Sequence, residues 1–170
     1  MSLIRVLTLL TLGSWAAMTS AHEWSYGDPY SSKYEVLRFS ESRRMFYHGD
    51  IAEPWLDCSK TNQAQKYRVC IQSDSFRFGV PLDVKAGAEW SIDGDLFRAS
   101  GAHSIQLLGK VISDVFVIEQ KNHAITYLYS SKQGLIGMYQ LYNGEVGILW
   151  LKGTCGLGAD QTCYRHGRRK

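Results

Sequence analysis

The chain lacks most of the signals that would assign it a chemistry. It has no Gly-x-Ser-x-Gly, so the strained elbow that presents the nucleophile of many serine hydrolases is missing. It has no Asn-x-Ser/Thr acceptor, because Asn62-Gln63-Ala64, Asn122-His123-Ala124 and Asn143-Gly144-Glu145 all lack the hydroxyl. No internal repeat, low-complexity tract or linker rich in Pro, Gly and Ser divides it, which argues for one domain. No apolar run reaches the ~20 residues that a membrane-spanning helix needs. Charge of neither sign dominates, with 19 Lys+Arg against 16 Asp+Glu, and no specific nucleic-acid motif is present.

What is present begins at the N-terminus. One cation, Arg5, precedes an apolar stretch running from Val6 to Leu12 and on through Trp15-Ala16-Ala17-Met18, and the small residues Thr19-Ser20-Ala21 end it. This is the pattern of a cleavable secretory signal, so residues 1–21 are expected to be removed, with a cut after Ala17 as second choice. The rival reading, a membrane anchor, needs a longer apolar run. No cysteine follows the cut, which argues against a lipid anchor. Removing residues 1–21 from 170 leaves 149, enough to bury one real core. Four of the remaining cations, Arg165, Arg168, Arg169 and Lys170, sit in the last six residues. The expected layout is therefore a signal over 1–21, one domain over 22–164 and a basic flexible tail over 165–170.

All four cysteines lie beyond the signal, and an even count in an exported chain reads as disulfides. Of three possible pairings, Cys58–Cys70 and Cys155–Cys163 each close a short local loop and are expected. In the chain-entropy model such a loop contributes roughly 2–3 kcal/mol. A zinc site from Cys155, Cys163 and His166 is the rival, but its spacing matches no familiar zinc knuckle.

Aromatic and β-branched residues recur in short runs between turn signals. Asp93-Gly94, Ser100-Gly101-Ala102-His103, Gly109-Lys110, Lys121-Asn122-His123, Ser131-Lys132-Gln133-Gly134 and Tyr142-Asn143-Gly144 separate seven such runs in the second half. Asp-Gly and Asn-Gly readily take the positive φ angles of tight hairpins, so neighbouring runs should pair. In the first half, residues 34–39, 45–47, 67–72 and 76–80 read as strands, with a loop and one short helix near 59–65. The expected fold is mainly β, an antiparallel meander of eight to ten strands forming a small disulfide-stabilised sandwich or barrel, with little helix.

Three features could carry chemistry, and each has a plainer reading. Ser100-Gly101-Ala102-His103-Ser104 puts hydroxyls near a histidine, but it also reads as a loop between two strands. Gly153-Thr154-Cys155-Gly156-Leu157-Gly158 superficially resembles a phosphate loop. It lacks the Lys-Ser/Thr ending, and no helical pattern follows it. Asp93 and Asp95 could act as an acid pair or bind calcium, but two carboxylates are too few for a calcium loop, and Asp-Gly forms a turn unaided.

His22 is a sharper alternative. Cleavage after Ala21 would leave a terminal amine beside its own imidazole, and nitrogen donors of this kind suit Cu(II). A second ring would have to come from His48, His103 or His123. A third possibility is a small hydrolase with a dispersed acid pair.

The sequence is read first as an exported, non-enzymatic binding protein, periplasmic or secreted, of the inhibitor or immunity type and without a cofactor. Its partner is expected to be another protein. The contact residues would lie on one of two hairpin tips, with Ser131, Lys132 and Gln133 at the first, Ser131 to Gly134, and Tyr139, Tyr142 and Asn143 at the second, Tyr142 to Gly144. The basic tail could attach weakly to anionic surfaces.

Overall fold

A computed structural model describes residues 22–28, 37–60, 66–107, 109–142 and 145–166, with the side chains of Lys60, Leu141, Tyr142, Glu145, Arg165 and His166 outside that description. The expected signal, the tip residue Asn143 and the last four residues of the basic tail lie outside the described residues.

In chain order the strands are β1 (Glu23–Gly27), β2 (Leu37–Ser40), β3 (Met45–His48), β4 (Ile51–Pro54), β5 (Leu56–Asp57), β6 (Tyr67–Gln72) and β7 (Arg77–Pro81). They continue with β8 (Glu89–Ile92), β9 (Asp95–Leu107), β10 (Lys110–Gln120), β11 (Ile125–Ser130), β12 (Gly134–Tyr142) and β13 (Glu145–Leu151). A 3-10 turn covers Cys58–Lys60, and one short helix, α1 (Gln161–His166), ends the described chain. Ten strands form one antiparallel sheet in the order β4-β3-β2-β1-β13-β12-β11-β10-β9-β8, and β5-β6-β7 form a second. The mainly β, disulfide-stabilised meander expected from the sequence is the observed fold.

Turn chemistry explains the meander. Asp93 and Gly94 both take positive φ, 49° and 86°, so β8 and β9 pair tightly with Ile92 opposite Asp95. Gly109, at φ 78°, turns β9 into β10.

One expectation changes here. Ser100 to Ser104 is not a loop between two strands, because β9 runs unbroken from Asp95 to Leu107. The mismatch with β10 is absorbed by register shifts between Ile112 and Val115 and between Phe116 and Val117, with Asp114 at φ 59°. β1, β4, β5 and α1 are additions to the sequence reading.

The small sheet packs its aromatic face into the large one. Phe76 lies 5.2 Å from Phe46 and 6.1 Å from Tyr127, ring centre to ring centre. In the large sheet, five strand-to-strand steps separate β3 from β11, a flat distance of ~24 Å. Since one phenyl ring touches both, the sheet must curl strongly around the small one. Phe39, Phe78, Phe97, Tyr26, Tyr127 and Tyr129 fill the enclosed space and are fully buried. Burial holds the phenols of Tyr26, Tyr127 and Tyr129 well above the ordinary tyrosine range.

Candidate functional site

Both expected disulfides form, Cys58–Cys70 and Cys155–Cys163. The first joins the 3-10 turn to β6. The second closes a C-terminal loop that folds back over the end of the large sheet. Three tyrosine hydroxyls hold that loop by its backbone. Tyr26 donates to Leu135 O and accepts from Leu157 N–H, Tyr129 donates to Gly158 O, and Tyr164 donates to Gly156 O. Glycine is required where the loop meets β12, because a Cβ on Gly156 would lie 1.9 Å from Leu135 O.

Tyr164, the last residue of the expected domain, lies in α1. It takes a hydrogen bond from Trp24 Nε1 at 3.0 Å. The absent helical pattern noted after the glycine-rich loop is also corrected, since α1 follows it, although six residues are too short to present an anion site.

The C-terminal loop claims the first of the two expected tips. Gly156 N–H donates to Gln133 O, Asp160 N–H donates to Lys132 O, and Ser130 Oγ accepts from the amides of Lys132 and Gln133. Gly134, at φ 76°, admits this contact. Lys132 projects outward, 3.9 Å from Asp114. Ser131 and Gln133 are half-buried. The second tip, between β12 and β13, lies at the other end of nine-residue β12, ~30 Å away along the strand. The structure therefore does not bring Ser131, Lys132 and Gln133 together with Tyr139 and Tyr142.

Tyr139 belongs to a different grouping. On the outer face of the sheet, cross-strand register aligns Arg98, Glu119, Thr126, Tyr139 and Ile148 in one row across β9 to β13. Tyr139, Val146 and Ile148 are 38%, 58% and 43% exposed. In the next row Leu128, Gly137 and Trp150 align, and the indole of Trp150 lies over Gly137, where a Cβ would meet it at 2.5 Å. Glu119 borders two shallow depressions, of about 340 and 520 Å³, that also touch Arg98, Ser100 and Thr126. The sequence reading missed Val146 and Ile148. The hairpin at Asn143-Gly144 could have found them, because pairing outward from it sets Ile148 opposite Tyr139.

Both members of the acid pair engage Arg77. Asp95 is buried and accepts from Arg77 Nη1 at 3.2 Å and from Gln120 Nε2 at 2.9 Å, while Asp93 lies 3.4 Å from Arg77 Nη2. The single Tyr127 hydroxyl proton faces both Gln120 Oε1, at 2.8 Å, and Arg77 O, at 3.0 Å. His123 Nε2 meets the other Asp95 oxygen at 3.2 Å. The cluster brings no serine or cysteine to that ring among the described residues. His103 is exposed on β9 opposite Val115, and Ser100 Oγ donates to Val117 O.

His22 sits where β1 meets the β2–β3 turn. Its Nδ1 is 2.9 Å from Glu41 Oε2 and its backbone N–H donates to the same oxygen at 3.3 Å. Its ring packs 4.3 Å from that of Tyr164. Among the described side chains no second imidazole joins it: His48 lies level with Tyr26, four residues further along the ladder, and His123 is with Asp95. Among the described residues no group of three or more His, Cys, Asp or Glu could hold a metal ion, and no helix is long and apolar enough to cross a membrane. Comparison of the chain with protein-family models, with curated proteins and with solved structures returned no match.

Proposed function

We propose that this is an exported binding protein, of the inhibitor or immunity type, that captures a partner protein on the outer face of the β12–β13 hairpin. One observation carries the reading. Tyr139, Val146 and Ile148 expose apolar surface side by side on the hydrogen-bonded strands β12 and β13, beside Trp150 and in one row with the cross-strand neighbours Arg98 and Glu119. Exposed aromatic and aliphatic anchors with a polar rim are the usual make-up of a protein-binding hot spot. The disulfides suit an oxidising compartment.

The partner would meet the apolar end with its own apolar side chains and the Arg98–Glu119 end with polar ones. Capture needs no moving part, because β12 and β13 are paired over six residue positions.

A photo-crosslinking side chain at Ile148 should label one exported or envelope protein in living cells. Ile148→Asp should abolish that adduct and leave the fold intact. Ile51, 58% exposed on the edge strand β4, is the control position. No adduct at Ile148, or the same adduct from Ile51, would remove the assignment.

A further inference from the structure

The first described residue presents two nitrogens to one carboxylate oxygen. His22 N and Nδ1 lie 3.3 and 2.9 Å from Glu41 Oε2. A backbone hydrogen bond and two ring contacts fix this geometry. Glu41 N–H donates to His22 O at 3.0 Å, which locks the turn to the start of β1. The Tyr164 ring packs against the imidazole at 4.3 Å, and the Trp24 ring lies 6.0 Å away in a stacked orientation. Tyr164 is itself held by Trp24 Nε1 and by Gly156 O, so the packing surface is rigid.

We propose that, in a chain cut after Ala21, His22 and Glu41 form a three-donor site for Cu(II). The donors are the terminal amine, the Nδ1 of the same residue, and a Glu41 carboxylate oxygen. The inference rests on removal of residues 1–21, and it is independent of the Tyr139 face. Before cleavage the His22 nitrogen is an amide and a poor ligand. Afterwards it is an amine that can bind a metal once deprotonated.

An ion bound at ~2.0–2.1 Å to nitrogen and oxygen donors would take the place of the hydrogens now shared between His22 and Glu41. The strands need not move. The ammonium proton, and the imidazole proton where present, leave to solvent, and the copper stays Cu(II). The carboxylate offsets part of the charge, and the remaining positions of a tetragonal Cu(II) go to water. Glu41 thus takes the place of the second imidazole expected from His48, His103 or His123. Other charged groups near the cluster are Glu23, the next residue in the chain, and Arg43, on the same turn as Glu41 and within electrostatic reach of Glu23.

The test uses CuCl₂ and the exported protein, with its N-terminus read by intact mass. Four samples are titrated against a glycine competitor: the protein starting at His22, the same protein with its terminal amine acetylated, Glu41→Gln, and a synthetic peptide of residues 22–28. The protein starting at His22 should bind one Cu(II) about tenfold or more tighter than the peptide. Acetylating the terminal amine or removing the Glu41 charge should each cost about tenfold, with a changed electron paramagnetic resonance spectrum. Equal affinity of peptide and protein would mean adventitious terminal chelation only and would overturn the proposal. So would an unchanged Glu41→Gln, or an exported protein whose mass places its start elsewhere. Glu41 is half exposed and its replacement by Gln keeps its shape, so loss of binding would not reflect unfolding.

Discussion

Raising the pH should unfold this protein through its tyrosines. Ten are present, and three of them, Tyr26, Tyr127 and Tyr129, are fully buried. Burial raises all three phenols above the ordinary value of 10.0. The native state therefore keeps its protons where the unfolded chain gives them up. Below pH ~10 this contributes no penalty, because both states are protonated. Above it, each buried phenol removes about 1.4 kcal/mol of stability per pH unit until its own raised value is reached.

Three together give a slope of about 4 kcal/mol per unit. A domain with the usual 5–15 kcal/mol would exhaust that margin about one to four units above 10. A rapid jump to high pH should show two phases of tyrosinate absorbance. Solvent-exposed phenols ionise at once, and the buried group follows at the rate at which β circular dichroism is lost. Tyr26→Phe should flatten the slope by about a third. It should also lower stability at neutral pH by about 1–3 kcal/mol, since Leu135 O and Leu157 N–H lose their shared partner. A single reversible wave near pH 10 with the β signal intact would refute this reasoning.

Two further substitutions test the packing. Gly134→Ala sets a Cβ within 2.6 Å of Leu157 O, Ala159 N and Gly156 O at a φ of +76°, and should cost about 3 kcal/mol or more in denaturant unfolding. Arg77→Met leaves the Asp95 carboxylate buried without its guanidinium and should cost about 3 kcal/mol. Adding Asp95→Asn should recover part of that loss, and if the two costs simply add, the pair is not coupled.

The second half of the fold was legible because its turns were. Asp93-Gly94, Gly109 and Gly134 all take the positive φ their sequences suggest, and the strands between them follow. The disulfides were legible because both are local, spanning 12 and 8 residues. What escaped was decided by distant partners. β4, Ile-Ala-Glu-Pro, has little strand character of its own and exists because Gly49, at φ 56°, returns the chain onto β3. α1 is six residues long, below the length at which an isolated helix holds together. It is held by Cys163 and by the Tyr164 hydroxyl. The Ser131–Gly134 tip looked free because nothing in its own sequence reveals the loop of residues 155–163 lying across it.

The tyrosines show why composition misleads about the candidate site. Tyr26, Tyr127, Tyr129 and Tyr139 all lie within strands. Only register separates them. Tyr127 stands opposite Met138 on the core side, so Thr126 and its partner Tyr139 must face outward. Ile148 follows by the same parity through the Asn143-Gly144 hairpin. A shift of one residue in either pairing would bury Tyr139 and expose Tyr127, whose hydroxyl is tied to Gln120 and Arg77 O in a buried network. The polar cluster around Asp95 thus holds the register that leaves Tyr139, Val146 and Ile148 on the surface. The same sheet parity that buries three phenols leaves an aromatic and two aliphatic side chains free to meet a partner.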